Sequence, residues 1–203
     1  MGKNKTRKLY SHSLSGNSYK VRLFMELLNL EYDEIPVDIP QGEHKSADFL
    51  AINPLGQVPV LSEGEVTIRD SQAILVYLDR KYGGEEWLPV EPVAMAEVMQ
   101  WLSFAANEIH HSLNLARLHF LLGVEVDLKL AQERSHAILK IMNEHLANCD
   151  WLELARPTIA DLACFPYVAL SSEGGVPLEG YPNVKSWIDR VKGLPNYVSM
   201  PGL

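Results

Sequence analysis

The chain has 203 residues, of which 47% are hydrophobic and 22% charged, so it can bury one substantial core or two small ones. The 26 acidic and 18 basic residues give a net charge of −8, which argues against nucleic acid as the main partner. Two cysteines, Cys149 and Cys164, are too few for a disulfide framework or a zinc site, and we expect each to be a small core residue.

A basic cluster, Lys3, Lys5, Arg7 and Lys8, opens the chain. We interpret it as a solvated tail, because no aromatic platform or basic helix accompanies it. No signal-peptide hydrophobic region follows it, and no apolar run is long enough to span a membrane. We therefore expect a cytoplasmic protein that binds neither nucleic acid nor a membrane.

The first part of the chain alternates between strand and helix signals. Residues 8–11 predict a strand, residues 13–18 a polar turn, and the apolar positions from Val21 to Leu28 recur at helical spacing. The alternation of Ile35, Val37 and Ile39 with polar residues predicts a second strand.

The pattern continues with a short helix near 47–52 and a hairpin whose strands, 58–61 and 66–68, flank residues 62–65. A further helix begins at Asp70-Ser71. The predicted order is βαβαββα around a four-stranded sheet, an α/β domain covering residues 1–83.

Gly and Pro residues interrupt all periodicity in 84–92, which we interpret as a linker. The remainder, 93–203, predicts an all-helical domain. Amphipathic spacing predicts helices around 98–109, 128–146 and 184–191, and a capping box begins another at Thr158 to Asp161.

The most informative segment is 53–61, where Pro59 stands between Val58 and Val60 at the start of an apolar strand. A proline there removes a ladder donor, and a cis Val58-Pro59 bond would turn the backbone groups of Val58 outward. An extended peptide could then pair with Val58 as an added strand.

The helix that begins at Asp70-Ser71 offers free N–H groups that can hold a carboxylate. The alternative is that both residues are simple helix caps. Its position shortly after the proline segment favours a peptide-binding site.

With these motifs in this order, the chain resembles the cytosolic glutathione transferases over nearly its whole length. Segment 10–23 (YSHSLSGNSYKVRL) is similar to that of the serine-using theta- and zeta-like and related bacterial branches. The resemblance implies a thioredoxin-like first domain, a helical second domain, a homodimer and glutathione as cosubstrate. The identity of the second substrate does not follow from it.

Matched position by position, the resemblance implies that Ser15 is the catalytic hydroxyl. It also implies a set of glutathione-binding residues: Ser15, Asn17, His44, Gln57, Val58, Asp70 and Ser71. The sequence around Gly16-Asn17 departs from the usual zeta signature, and Ser11, Ser13 and Ser18 are further hydroxyls in the same loop.

Glutathione's thiol reacts as the thiolate, and a hydroxyl that donates to sulfur lowers the thiol pKa with help from the helix dipole. Ser15 would be such a donor, with Asn17 the next candidate. The alternative is that Ser15 only caps the following helix. A solvated loop position is an equal alternative for His44.

The expected activity is a glutathione transferase acting on an electrophilic, largely apolar substrate. Alternatives are a glutathione-dependent isomerase, a peroxide or disulfide reductase, and a non-catalytic glutathione-binding protein. The loop lacks paired cysteines, so dithiol exchange by the protein itself is excluded.

We expect no metal, because His110 and His111 point to different sides of a helix. Ordinary core or surface roles are expected for four helical residues that resemble a second-substrate lining: Trp101, Asn107, His110 and Arg117.

Overall fold

The computed structural model describes residues 7–203, so Lys3 and Lys5 lie outside the described residues. The first domain contains, in order, β1 (Arg7–Ser11), α1 (Gly16–Leu27), β2 (Asp33–Pro36), α2 (Ala47–Ile52), β3 (Val60–Glu63), β4 (Val66–Arg69) and α3 (Ser71–Leu78). The predicted βαβαββα order is confirmed.

The four strands form one mixed sheet in the order β2-β1-β3-β4. β1 pairs parallel to β2 and antiparallel to β3, with Tyr10 opposite Val60, and Val60 is also opposite Arg69 of β4. The end of β1, the start of β3 and the end of β4 therefore meet at one edge of the sheet. This register brings together the loop before α1, the proline segment before β3 and the start of α3.

The prediction of a second strand through Ile39 is wrong, because β2 ends at Pro36. Val37 N–H still bonds to Ser11 O at 2.8 Å, but Ile39 N–H turns back to Val37 O at 3.0 Å. Val37 is buried against Phe49 and Val60, so its apolar side chain fills a small core rather than extending the strand.

Residues 84–91 contain no helix or strand. The second domain then comprises α4 (Pro92–Phe104), a π-helical segment (Ala105–Asn114), α5 (Leu115–Leu122), α6 (Leu128–His145), α7 (Ile159–Ala169) and α8 (Pro182–Lys192). The helical prediction is confirmed, although the first helix runs without interruption from 92 to 122 and its π-helical middle was not predicted.

The predicted capping box is present at the start of α7. Thr158 N–H donates to Asp161 Oδ2 at 2.8 Å, and the buried Asp161 carboxylate also accepts from Leu152 N–H and Trp187 Nε1. Burial, the largest influence, raises the pKa of Asp161 even though these donors oppose it. The carboxylate thus joins three segments of the helical domain, which is a structural role.

α7 packs against α1, with the rings of Tyr19 and Phe165 6.2 Å apart, and this packing places the helical domain beside the edge of the sheet.

Cys164 is buried in the same core and Cys149 is partly buried, and both are free thiols. Within residues 7–203, the helices include none that is sufficiently long and apolar to cross a membrane.

Candidate functional site

A cavity of about 640 Å³ lies between the edge of the sheet and the helical domain, a size typical of small-molecule sites. The sheet register explains its first wall, because the three loops that meet at this edge all contribute to it. All seven of the predicted binding residues line this cavity: Ser15, Asn17, His44, Gln57, Val58, Asp70 and Ser71.

Ser15 is the N-cap of α1, and its Oγ accepts a hydrogen bond from Ser18 N–H at 3.2 Å. The capping role considered from the sequence is therefore real. It does not compete with donation, because a hydroxyl that accepts through a lone pair keeps its proton for another acceptor. Ser15 thus presents an O–H donor to the cavity at the positive end of the helix dipole.

Asn17 lies in the first turn of α1, where its backbone N–H donates to the Tyr167 hydroxyl at 3.2 Å. Its side-chain amide has no hydrogen-bond partner within residues 7–203 and lines the cavity. Two potential donors, Ser15 Oγ and Asn17 Nδ2, therefore occupy the same end of the site.

The Val58-Pro59 peptide bond is cis, and β3 begins only at Val60. Neither backbone polar group of Val58 is hydrogen-bonded to any described residue. The preceding carbonyl, of Gln57, accepts from the amide of the buried Asn53 at 2.7 Å, which fixes the loop. Val58 can therefore pair with an extended ligand in the manner expected from the sequence.

Asp70 has a φ of +77° and ψ of 119°, a backbone conformation that is costly for a non-glycine residue. Its Oδ1 accepts from Gln72 N–H and Ala73 N–H, both at 3.0 Å. Two of the N–H groups expected to hold a ligand carboxylate are thus already used. The backbone N–H and hydroxyl of Ser71 have no partner in the described structure. Of the groups predicted to hold a ligand carboxylate, those of Ser71 are therefore the ones that remain unused.

His44 lies in a 3-10 turn, Glu43–Lys45, that packs against the proline loop. Lys45 Nζ donates to Leu55 O at 3.1 Å and to Gly56 O at 3.3 Å. A Cβ on Gly56, whose φ is +59°, would lie 2.6 Å from His44 O, so glycine is required for this close approach. His44 is held at the cavity wall, and its Nδ1 is buried without a hydrogen-bond partner.

The helical domain supplies the second wall through Ala105, Ala106, His110, Asn114, Arg117, Leu118, Leu121, Leu122 and Tyr167. His110 and Arg117 line the cavity, whereas Trp101 and Asn107 do not. The expectation of ordinary core or surface roles for these four residues stays a prediction. The spacing of His110, Asn114 and Arg117 places them along one helical face, but this spacing is equally typical of an ordinary amphipathic helix.

Burial favours the uncharged form of both His110 and Tyr167 on this wall. Burial, with the neighbouring His111 and Lys20, lowers the pKa of His110, which favours a neutral imidazole. Burial raises the pKa of Tyr167 to about 12, so its hydroxyl stays protonated. Lys20 is buried in α1, and this burial lowers its pKa to about 8. No cluster of metal-ligating side chains occurs within residues 7–203.

Comparison with known families gives two matches in chain order. The sequence model for "Glutathione S-transferase, N-terminal domain" matches residues 5–80, and the model for "Glutathione S-transferase, C-terminal domain" matches residues 95–195. Together they cover most of the chain.

Individual relatives have different activities. The chain is 33% identical to glutathione S-transferase 1 of Dianthus caryophyllus, covering 93% of this chain and 89% of that protein. It is 30% identical to the disulfide-bond oxidoreductase YfcG of Escherichia coli (88% and 87% covered). It is 29% identical to maleylacetoacetate isomerase of Pseudomonas aeruginosa (94% and 93% covered).

Solved structures with the same fold include a glutathione S-transferase of Pseudomonas fluorescens, with a TM-score of 0.91, 32% identity and coverage of 96% of this chain and 98% of that one. Another is a glutathione transferase homologue of Drosophila mojavensis with bound glutathione, with a TM-score of 0.85, 28% identity and coverage of 94% and 89%. The architecture described above is therefore shared by proteins of this family from bacteria and animals.

Proposed function

Because the chain belongs to the glutathione S-transferase family, we propose that it is an enzyme that binds glutathione, favours its thiolate and directs the sulfur at an electrophilic substrate. The observation that supports this most directly is the convergence of Ser15, Val58 and Ser71 on one cavity. Each offers hydrogen-bonding groups that no described residue uses.

In the proposed complex, glutathione lies extended along the proline loop. Val58 pairs with its cysteinyl backbone, as an added strand would, and Gln57 lies beside it. Ser71 binds the γ-glutamyl carboxylate next to Asp70, and His44 lies near the glycine end. The sulfur is then directed toward the start of α1.

Ser15 is the proposed thiol-activating residue. Donation of its O–H to sulfur stabilises the thiolate more than the neutral thiol, and the N-terminal dipole of α1 acts in the same direction. The thiolate attacks the electrophile without a further base. Asn17 is the second donor in the same place.

A glutathione-dependent reductase or isomerase is the second candidate. The oxidoreductase and isomerase names among the relatives support it, at 30% and 29% identity to the chain. Since segment 15–18 has no cysteine, any disulfide reduction would use the thiol of glutathione itself. A non-catalytic binding protein of the same fold is the remaining alternative.

We also propose that two copies assemble as a C2 homodimer. We further propose that the domains divide at the 84–92 linker and that the chain acts in the cytoplasm.

The function is tested by titrating the ultraviolet absorbance of bound glutathione. Thiolate absorbance at a pH where free glutathione is protonated supports the enzyme. Binding without that signal favours the non-catalytic alternative.

A further inference from the structure

The side chain of Arg117 stands out on the helical wall. It is only 2% exposed, although arginine is among the residues least often buried. Its Nε donates to Glu173 Oε2 at 2.5 Å and its Nη1 donates to Leu14 O at 2.8 Å. These two bonds hold the guanidinium in place at the cavity.

The third guanidinium nitrogen is not used in this arrangement. Nη2 is buried, and it has no hydrogen-bond partner in the described structure. A buried donor on a cation that lacks an acceptor costs stability, and that cost is recovered when an acceptor arrives. Arginine presents its donors in a planar fork, which matches the oxygens of a carboxylate.

Among the described residues that line the cavity, Arg117 is the only arginine or lysine. The acidic lining residue, Asp70, belongs to the opposite wall, where its carboxylate is occupied by the start of α3. Asn114 and His110 accompany Arg117 on one helical face, where the amide nitrogen of Asn114 lies 3.2 Å from His110 Nδ1. The second wall is therefore locally suited to an anion although the protein is acidic as a whole.

The carboxylate of Glu173 partly neutralises the positive charge of the Arg117 guanidinium. This carboxylate pairs with Arg117 and is 36% exposed, so water can solvate it when a ligand competes for the guanidinium. Arg117 thus has a partner that stabilises it in the empty site and that can be exchanged or shared.

We propose that the second substrate is an electrophile carrying a carboxylate, and that Arg117 binds this carboxylate while the electrophilic carbon faces the glutathione sulfur. This inference rests on the proposed function and replaces the expectation of a largely apolar substrate. The remaining lining by Ala106, Leu118 and Leu121 would contact the apolar part of the molecule.

A matched pair of probes tests the charge alone: 4-chloro-3,5-dinitrobenzoate and its methyl ester. In both, the thiolate forms a C–S bond at the chlorinated carbon, and chloride leaves with the electrons of the broken C–Cl bond. Each kcat/KM is divided by the rate constant of the uncatalysed reaction with glutathione, which removes the difference in intrinsic reactivity. The wild type should prefer the acid over the ester by roughly tenfold to a hundredfold, as expected of a hydrogen bond to a charged group.

Three variants separate recognition from structure. Arg117→Gln should abolish the preference, read from the acid-to-ester ratio, although both rates can fall because the bond to Leu14 O, next to Ser15, is lost as well. Glu173→Gln should increase the preference, because the guanidinium loses its competing carboxylate. Arg134→Gln removes the same charge from an exposed position of α6 and should leave the acid-to-ester ratio unchanged.

A wild-type ratio of one or less would overturn the inference, as would an Arg117→Gln variant that loses acid and ester activity equally. If Arg117→Gln does not fold, an unchanged ratio in Glu173→Gln overturns it instead. The thiolate absorbance of bound glutathione is measured in the same samples. Its presence together with a missing acid preference rejects this inference alone, whereas its absence rejects the proposed function.

Discussion

The hydroxyl of Tyr167 accepts a hydrogen bond from the backbone N–H of Asn17 at 3.2 Å, across 150 residues of sequence. This bond joins α7 to the first turn of α1, where Ser15 and Asn17 face the cavity. The two walls of the site are therefore connected at the point where the thiol would lie.

The first prediction concerns Gly16, which lies under the Tyr167 ring. A Cβ at this position would stand 2.7 Å from Tyr167 Cε1 and 3.1 Å from Pro166 Cβ. Gly16→Ala should lower the free energy of unfolding in urea by about 1–3 kcal/mol, because the packed ring must move. Gly180→Ala, where a Cβ meets no atom within 4 Å, is the control and should change stability little. Equal effects at both positions would contradict the packing explanation.

The second prediction concerns glutathione affinity. Ser71→Ala should weaken binding by about 1–3 kcal/mol, because a hydrogen bond to the ligand carboxylate is lost. Isothermal calorimetry on the folded variant measures the change, with Ser103→Ala on an exposed position of α4 as the control. Unchanged affinity in Ser71→Ala would reject the assignment of the carboxylate site.

The third prediction separates the two roles of Ser15. Ser15→Ala removes both the helix cap and the donor, whereas Ser15→Gly removes the donor and costs the cap only a few tenths of a kcal/mol. If donation matters, both variants should raise the pH at which thiolate absorbance appears and lower kcat/KM by roughly tenfold to a hundredfold. Loss of the signal in Asn17→Ala alone would assign thiol activation to Asn17.

The fourth prediction concerns assembly. α4 exposes apolar side chains, Val93 at 64% and Met99 at 39%, which is consistent with a covered face in a C2 dimer. Sedimentation should give twice the mass of the chain at micromolar concentration, and Met99→Glu should shift the population toward monomer. A wild-type chain that sediments as a monomer would rule out the dimer.

The fifth prediction concerns acid stability through Glu63. Burial raises its pKa, but hydrogen bonds from Lys81, Tyr82 and Tyr77 together outweigh burial and hold the pKa at about 2, below the ordinary glutamate value of 4.5. Arg7 adds an ion pair at 3.2 Å.

Because the folded pKa lies below that of the unfolded chain, this stabilisation is complete above about 4.5 and is lost as the pH falls toward about 2. The loss should amount to about 1–3 kcal/mol in urea titrations across that window. Glu63→Gln should be less stable near neutral pH and should lack this part of the acid dependence. An identical pH profile in both proteins would contradict the prediction.

Much of the fold follows from local sequence patterns, since the strand and helix order, the capping box at Thr158 and the proline segment before Val60 all have short-range signals. The extent of β2 does not, because Val37 is apolar for burial against Phe49 rather than for strand pairing. The first wall of the site was predictable because its residues lie in segments with short-range signals: the loop before α1, the proline segment and the start of α3. The domain boundaries stay a prediction.

The second wall was not predictable from local patterns. Arg117 and His110 lie on a helix that reads as an ordinary amphipathic element, and their place in the cavity depends on how α1 packs against α7. The competition between Asp70 and a ligand for the start of α3 likewise depends on a side-chain rotamer and a positive φ that the sequence alone does not specify.

Under the proposed function, the two walls hold their ligands by different means, and this bears on how such an enzyme can change over time. In the proposed complex the first wall offers main-chain groups at Val58, which most substitutions leave intact, together with the side chains of Ser15 and Ser71. The opposite wall is made mainly of side chains from the helical stretch 105–122, such as Ala106, His110 and Leu118, with Tyr167 of α7. If the proposed function is right, single-codon changes there should alter the choice of electrophile while glutathione binding is retained. Libraries confined to that helical face should then yield active variants of altered selectivity more often than libraries in residues 53–61.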